Sequence, residues 1–313
     1  MMNRLLLVLS LLVSIFKFSQ AQISHGGRPL SFDNPSLSPI EYNVMKEIDL
    51  ARLRREDREN EGRKDIPFRF GENIIVDFDI KSHGQWDILN DGSKVWRLGI
   101  QCNGAKTINL TFDEFRLPEG GKLFVYNEDH SEVIGAFTES NNQSDLLFAT
   151  QLINRSAIII EYNQAAHIKA SPRIHLYRVT HGYRGSTNEI IRAFGSSGSC
   201  NLNVACPQSV GWEKEIRSVA MLVTGGSGFC SGALINNTNN DATPYFLSAD
   251  HCFTTPGSVV FYFNWQSATC PNPPSSPAFN SISGAVTKAR NATSDFWLMQ
   301  LNSAPPQSYN PFY

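Results

Sequence analysis

The sequence has no marked excess of either charge and no long apolar run beyond its first residues. Its 313 residues carry 27 Lys and Arg against 29 Asp and Glu, a net charge of -2. We therefore expect no binding to nucleic acid or to a membrane surface. No apolar run after the N-terminus reaches the roughly 20 residues of a membrane span.

Metal-ligand spacing is also missing from the sequence. Five histidines are scattered through the first two thirds of the chain without the short, regular intervals of a metal site: His83, His130, His167, His175 and His181. We interpret them as surface or strand residues. We expect neither a metal nor an organic cofactor.

The first 21 residues are typical of a signal peptide. Met1–Arg4 is positively charged, Leu5–Phe16 is apolar, and Ser19–Ala21 offers small residues for cleavage. A short membrane anchor fits less well, because the apolar core is too short. The sequence therefore predicts a secreted protein, in which the six cysteines can form disulfides.

Residues 22–70 are predicted to form a loose segment followed by a charged helix. Ser24–Pro39 is rich in Gly, Pro and Ser. Ile40, Val44 and Ile48 are four residues apart, and dense charges of mixed sign follow to Lys64. Mixed charges favour a solvated helix over a binding tail, so the pattern predicts one helix over 40–64.

Residues 71–194 are predicted to form a β-sandwich, because short apolar runs alternate with turn signals and no helix intervenes. Asn90–Gly92 and Leu117–Gly121 mark turns. The expected strands are Ile74–Ile80, Val95–Ile100, Ile108–Phe112, Leu123–Tyr126, Val133–Phe137, Leu146–Leu152, Ala157–Tyr162 and Ile174–Val179. The fold class expected for the whole chain is all-β.

The most informative stretch lies between Cys230 and Cys252. It begins Cys-Ser-Gly-Ala-Leu-Ile and ends Tyr-Phe-Leu-Ser-Ala-Asp-His-Cys. A general base needs a fixed geometry, which a neighbouring disulfide supplies. These residues resemble the two halves of the histidine motif of trypsin-fold serine proteases. The alternative is a buried histidine beside a structural disulfide.

Residues 195–313 resemble more narrowly the bacterial lysyl endopeptidase group of that fold. The resemblance rests on an ordered set of segments: Ser197–Cys206, Ile216–Leu222, Cys230–Cys252, Val259–Trp265, Ala268–Cys270 and Ser294–Leu301. It implies the first barrel of a trypsin-like double-barrel domain, and that residues 71–194 are a pro-region.

The resemblance also implies roles for individual residues. His251 takes the place of the general base and Asp295 that of the aspartate that orients it; Asp295 could instead only cap a strand or turn. Asp250, a second acid beside the base, is unusual for the family and could be merely solvated. The implied disulfides are Cys230–Cys252 and Cys206–Cys270, which leaves Cys200 unpaired.

Cys102, Cys200 and Ser197 are not assigned to the disulfides or to the histidine motif. Cys102 is expected to be a buried or free thiol, although a bond to Cys200 stays open. Gly195–Ser199 resembles a nucleophile loop, but it precedes both His251 and Asp295, and its composition is that of a linker. Ser197 is therefore not expected to be the nucleophile.

No Gly-Asp/Ser-Ser-Gly motif follows Asp295, and only 119 residues follow Phe194. We therefore expect the chain to be the front of a longer protease precursor, inactive as it stands. The whole would be a secreted, monomeric serine endopeptidase acting on proteins or peptides, with cleavage after Lys as an option. Two alternatives are a non-catalytic protease-like binding protein and a β-sandwich adhesion or carbohydrate-binding protein.

Overall fold

The structure is a computed structural model that describes residues 24–184, 200–271 and 277–313. The predicted signal peptide and the Gly195–Ser199 segment with Ser197 lie outside the described residues. The prediction of an all-β fold is confirmed, since the described residues form eighteen strands and two short α-helices. Neither helix has the length or the apolar character needed to cross a membrane.

Among the described residues of the N-terminal segment there is one α-helix, α1, over Leu50–Glu59. The prediction of a helix over 40–64 is therefore wrong in its extent. Asp49 caps the helix, because its side chain accepts a hydrogen bond from the backbone N–H of Arg52 at 2.9 Å. Residues before the cap instead form a short strand, Tyr42–Val44, that pairs in parallel with Lys94–Gln101. Pairing with a distant strand here overrides the apolar spacing.

Eleven strands lie between residues 42 and 182, the part of the chain that we call its first half. They are β1 Tyr42–Val44, β2 Phe68–Arg69, β3 Gly71–Asp79, β4 Gln85–Ile88, β5 Lys94–Gln101, β6 Thr107–Arg116, β7 Lys122–Asn127, β8 Val133–Phe137, β9 Phe148–Ala149, β10 Ala157–Gln164 and β11 Arg173–Gly182. One sheet has the order β1-β5-β10-β7-β8 with β4 beside β5, and a second has the order β3-β11-β6-β9. Inward-facing residues of both sheets, such as Ile100 and Leu110, belong to one buried cluster.

The second sheet differs from expectation at β9. A strand over Leu146–Leu152 was expected, but the strand is only Phe148–Ala149, and beyond it Ile153 makes an isolated bridge to Ile108 of β6. Leu146 has a φ of 63°, in the left-handed region that a strand cannot contain. On the exposed face of this sheet, the His175 imidazole lies between the carboxylates of Asp113 and Asp77.

The second half of the chain forms a curled sheet. Helix α2 is Glu213–Ile216, and the strands are β12 Val219–Thr224, β13 Gly228–Ile235, β14 Tyr245–Ser248, β15 Val260–Phe263, β16 Asn280–Ser283, β17 Ala285–Asn291 and β18 Phe296–Leu301. Their order is β16-β15-β12-β13-β14-β18-β17. The two end strands are consecutive in the chain and are joined through Gly284, whose φ is 85°. The sheet therefore curls round into a half-barrel.

The two halves pack against each other. Phe70 is fully buried, and its ring stacks on that of Phe229 with centroids 4.4 Å apart. The strand β2 pairs antiparallel with β13, and the backbone N–H of Leu152 donates to the hydroxyl of Tyr262 at 2.9 Å. Buried side chains from both halves accordingly belong to one hydrophobic cluster.

Candidate active site

His251 is placed by the end of β14. After Ser248 the chain leaves the sheet and forms a 3-10 turn, Asp250–Cys252. The Cys230–Cys252 disulfide ties this turn to β13, as the resemblance implies. Because the cysteine is the next residue, the disulfide restricts the backbone on which the imidazole stands.

Asp295 is placed by the hairpin between β17 and β18. Its φ is 50°, a left-handed conformation that aspartate tolerates better than most residues. The Asn291 side chain closes the turn, because its Oδ1 accepts hydrogen bonds from the backbone N–H groups of Thr293 at 2.9 Å and Ser294 at 3.0 Å. This turn directs the carboxylate of Asp295 toward the 3-10 turn.

His251 and Asp295, which are 44 residues apart in the chain, meet through two hydrogen bonds. His251 Nδ1 lies 2.8 Å from Oδ2 of Asp295, and the backbone N–H of His251 donates to Oδ1 at 2.9 Å. The backbone N–H, followed by the imidazole, holds the pKa of Asp295 below its usual value. A carboxylate at Nδ1 favours the neutral tautomer with its proton on Nδ1 and leaves Nε2 able to accept a proton. Among the described residues, Nε2 has no hydrogen-bond partner.

Asp250 is buried, so the alternative that this carboxylate is merely solvated is wrong. Only 8% of its side chain is exposed, and its two oxygens accept from Nε and Nη2 of Arg290 at 2.6 and 3.1 Å. This bidentate pair joins the 3-10 turn to β17. Sequence reasoning missed Arg290, which lies 40 residues from Asp250 in no recognisable motif.

A cleft of about 950 Å³ opens beside His251. One wall is formed by His251 with Phe229 and Ser231 of the curled sheet, and the other by most of the residues between Arg54 and Arg69 with Tyr183 and Arg184. We name residues 60–69 of this second wall the strap. The strap ends in β2, and its Phe68 lies opposite Phe229 in the register with β13.

The strap is anchored through Arg69. Its guanidinium donates to Asp57 at 2.8 and 3.0 Å, to Glu56 at 2.8 Å and to the carbonyl of Leu53 at 2.9 Å. Burial disfavours the charged form of Asp57, but hydrogen bonds from Tyr183, Arg184 and Arg69 outweigh it and lower its pKa. Arg69 therefore fixes β2 to the first helix in a charged network.

The structure shows the bonding state of each of the six cysteines. Cys206 and Cys270 form a second disulfide, also as the resemblance implies. Cys102 is buried, and burial raises the pKa of its thiol to about 12, whereas Cys200 is exposed. Both are free, so a bond between them, left open above, is absent.

The sulfurs of Cys230 and Cys252 and a ring nitrogen of His251 lie within 4.8 Å of one another. Because both sulfurs belong to the disulfide, they are not thiolate ligands, and this group does not make a metal site.

Comparison with known proteins finds a family match for the C-terminal part of the chain, which contains the curled sheet. Residues 194–313 match the family described as lysyl endopeptidase, C-terminal domain. A Pseudomonas aeruginosa protein described as lysyl endopeptidase is 30% identical over 127 residues, which are 36% of this chain and 28% of the relative. Over residues 194–313 the chain is therefore similar to lysyl endopeptidases, and the match to the Pseudomonas aeruginosa protein spans little more than a quarter of that relative.

Among solved structures, one similar chain is the full extracellular region of zebrafish Gpr126/Adgrg6. It is 9% identical, and the match covers 79% of this chain and 35% of that one. At a TM-score of 0.22 it carries no conclusion about fold or function.

Proposed function

We propose that this lysyl endopeptidase-like chain carries the histidine and aspartate of a secreted serine endopeptidase. The observation that supports this most directly is the 2.8 Å contact between His251 Nδ1 and Asp295, with Nε2 left without a described partner beside an open cleft. A ring held in this way can accept a proton at Nε2 while the carboxylate stabilises the resulting imidazolium.

In the proposed reaction a serine hydroxyl attacks the carbonyl of the substrate peptide bond. His251 accepts the hydroxyl proton at Nε2 and returns it to the leaving amine, and Asp295 keeps its negative charge throughout. No described serine hydroxyl bonds to His251. Because no Gly-Asp/Ser-Ser-Gly motif follows Asp295 in the sequence, we propose that the serine belongs to a part of the natural protein other than these 313 residues. Protein or peptide substrates are proposed from the resemblance, and cleavage after Lys from the name of the relative.

Peptide mapping of the naturally secreted protein tests the nucleophile first. Peptides beyond Tyr313 with a Gly-x-Ser-Gly loop are expected. Purified protein should then release a fluorophore from peptides ending in Lys, with matched Arg and Ala peptides as controls. His251→Ala should lower kcat by roughly 10⁴-fold or more, as loss of a triad member does. Secreted protein with no such serine and no hydrolysis would leave the protease-like binding protein as the better reading.

We further propose that residues 24–184 act as a pro-region that covers the cleft. The strand β14 pairs with β13 only at residues 233–235. The same edge of β13 at Gly228–Phe229 is therefore left unpaired by β14. The strand β2 fills this edge beside His251. An exposed strand edge is also where an extended peptide can add by backbone hydrogen bonds. A substrate approaching along this edge would have to displace the strap.

The strap is tested with Arg69→Ala, which removes its anchor. The matched control is Arg52→Ala, because Arg52 shares Glu56 with Arg69 but lies on α1 away from the cleft. We expect hydrogen exchange at the amides of residues 228–230 to rise at least tenfold in Arg69→Ala and not in Arg52→Ala. Equal exchange in the two folded variants would contradict a covering role, whatever the enzymatic activity.

A further inference from the structure

The turn that carries His251 and the hairpin that carries Asp295 are joined twice. One link is the His251–Asp295 pair itself, with Nδ1 and Oδ2 2.8 Å apart. The other is the bidentate pair between Asp250 and Arg290, with its shorter bond at 2.6 Å. Asp250 immediately precedes His251 in the 3-10 turn. Arg290 lies near the end of β17, just before the hairpin turn that carries Asp295. The two links therefore span the same pair of elements.

The second link has a restricted geometry. The Cζ atom of Arg290 lies 3.5 Å from the ring centroid of Phe253, and that ring packs edge-on against Trp297 with centroids 5.3 Å apart. Trp297 is fully buried and is the residue opposite Arg290 in the β17–β18 register. The guanidinium thus lies against a partly exposed aromatic ring, Phe253, whose one described ring contact is with the buried Trp297. A planar guanidinium that stacks and also donates twice keeps one orientation.

The two carboxylates differ in exposure. Half of the Asp295 side chain is exposed, whereas only 8% of that of Asp250 is. Asp295 receives the backbone N–H of His251 and the imidazole, so its hydrogen bonds require the turn to stay at one distance from the hairpin. Contacts among exposed groups do not hold such a distance well, because water competes for them. The neighbouring pair is better shielded on its carboxylate side, because Asp250 is 8% exposed although Arg290 is 37% exposed.

We propose that Asp250 and Arg290 are positioning residues that hold the imidazole of His251 against Asp295. They touch neither the reacting atoms nor the cleft; they fix the separation of the two elements. The inference rests on the proposed function for its catalytic consequence only. Misplacing a catalytic group by about 1 Å costs on the order of 10²-fold in rate.

The first test uses the 313-residue chain and needs no catalysis. Proton NMR follows the Nδ1–H resonance of His251, and hydrogen exchange follows its backbone amide. In Arg290→Ala we expect the Nδ1–H resonance to broaden beyond detection and the amide to exchange at least tenfold faster. The matched control is Lys288→Ala, which removes a positive charge from an exposed position of the same strand. It should leave both signals as they are.

Two additions keep the test informative. Arg290→Lys keeps the charge but cannot donate two parallel bonds, so an intermediate effect is expected, and it serves also if Arg290→Ala does not fold. Guanidinium ion added to Arg290→Ala should partly restore the Nδ1–H resonance. Unchanged Nδ1–H and amide signals in a folded Arg290→Ala or Arg290→Lys would overturn the proposal.

The second test uses the full-length enzyme with a peptide substrate. Arg290→Ala should lower kcat 10- to 100-fold with little change in KM, because substrate contacts remain. An active wild type whose kcat is unaffected by Arg290→Ala would also overturn the proposal. A wild type without peptidase activity refutes the proposed function instead, and the NMR result then still decides whether the second link positions the first.

Discussion

The two disulfides should separate global stability from the geometry of the site. Removing Cys230–Cys252 opens a loop of 22 residues, and removing Cys206–Cys270 opens one of 64 residues. By loop entropy alone, these bonds stabilise the fold by about 3.4 and about 4.3 kcal/mol at 25 °C. Paired substitution by alanine removes each bond without introducing a polar group. The longer loop should therefore be the more costly one for folding.

The placement of His251 should depend more on the shorter disulfide, Cys230–Cys252, than on the longer one, Cys206–Cys270. Cys252 follows the histidine directly and is 3% exposed, so its bond to Cys230 fixes the turn itself. Cys206 and Cys270 belong to neither the 250–252 turn nor the hairpin between β17 and β18. Only Cys230→Ala/Cys252→Ala should therefore weaken the His251–Asp295 contact.

Denaturant unfolding at 25 °C measures the free energies of unfolding, and hydrogen exchange at the His251 amide measures the contact. We expect Cys206→Ala/Cys270→Ala to lose more stability yet keep slow exchange at His251 under native conditions. If that variant loosens the amide as much as Cys230→Ala/Cys252→Ala does, once the difference in unfolding free energy is subtracted, the shorter disulfide has no special role in placing the histidine.

Two other predictions concern the sandwich and its contact with the curled sheet. Burial disfavours the charged ring of His175, but the two carboxylates that flank it outweigh burial and raise its pKa above the ordinary 6.5. The resulting stability is present below that value and is lost as pH rises through the folded-state pKa. Thermal midpoints from pH 6 to 9 should show this loss in the wild type and in His167→Gln, but not in His175→Gln. Phe70→Ala should lower the unfolding free energy by about 3 to 5 kcal/mol, as for other buried aromatic residues. A cost under about 1 kcal/mol would mean that Phe70 and Phe229 do not hold the halves together.

The sequence predicts the residues of the candidate site better than it predicts the contacts around them. His251 and Cys252 lie in a local motif with Cys230, and Asp295 precedes an apolar strand in the expected order, so the sequence alone predicts each of them as a candidate site residue. Strand alternation likewise predicts the sandwich, because the period of two is local. These features depend on near neighbours or on a fixed order along the chain.

The features that sequence reasoning missed depend on distant pairing. The strand β2 joins β13 across some 160 residues, and nothing in the letters Phe-Arg marks it as the partner of Gly228–Phe229. The predicted helix is too long because residues 42–44, which have helical apolar spacing, instead form β1 and pair in parallel with β5. The partner of Asp250 could not be found either, because an arginine on a strand is normally a solvated residue.

The pairing of Asp250 also resolves why a second acid beside His251 does not disturb the site. A free carboxylate there would compete with Asp295 for the imidazole, but both of its oxygens are engaged by Arg290. The pair is asymmetric, since the arginine side chain is 37% exposed and the aspartate 8%. Losing the arginine therefore strands a buried negative charge beside the histidine, whereas Asp250→Asn leaves a cation that reaches water. We accordingly expect Arg290→Ala to disturb the His251 Nδ1–H resonance more than Asp250→Asn does. The reverse order would mean that Arg290 is not what keeps Asp250 away from the imidazole.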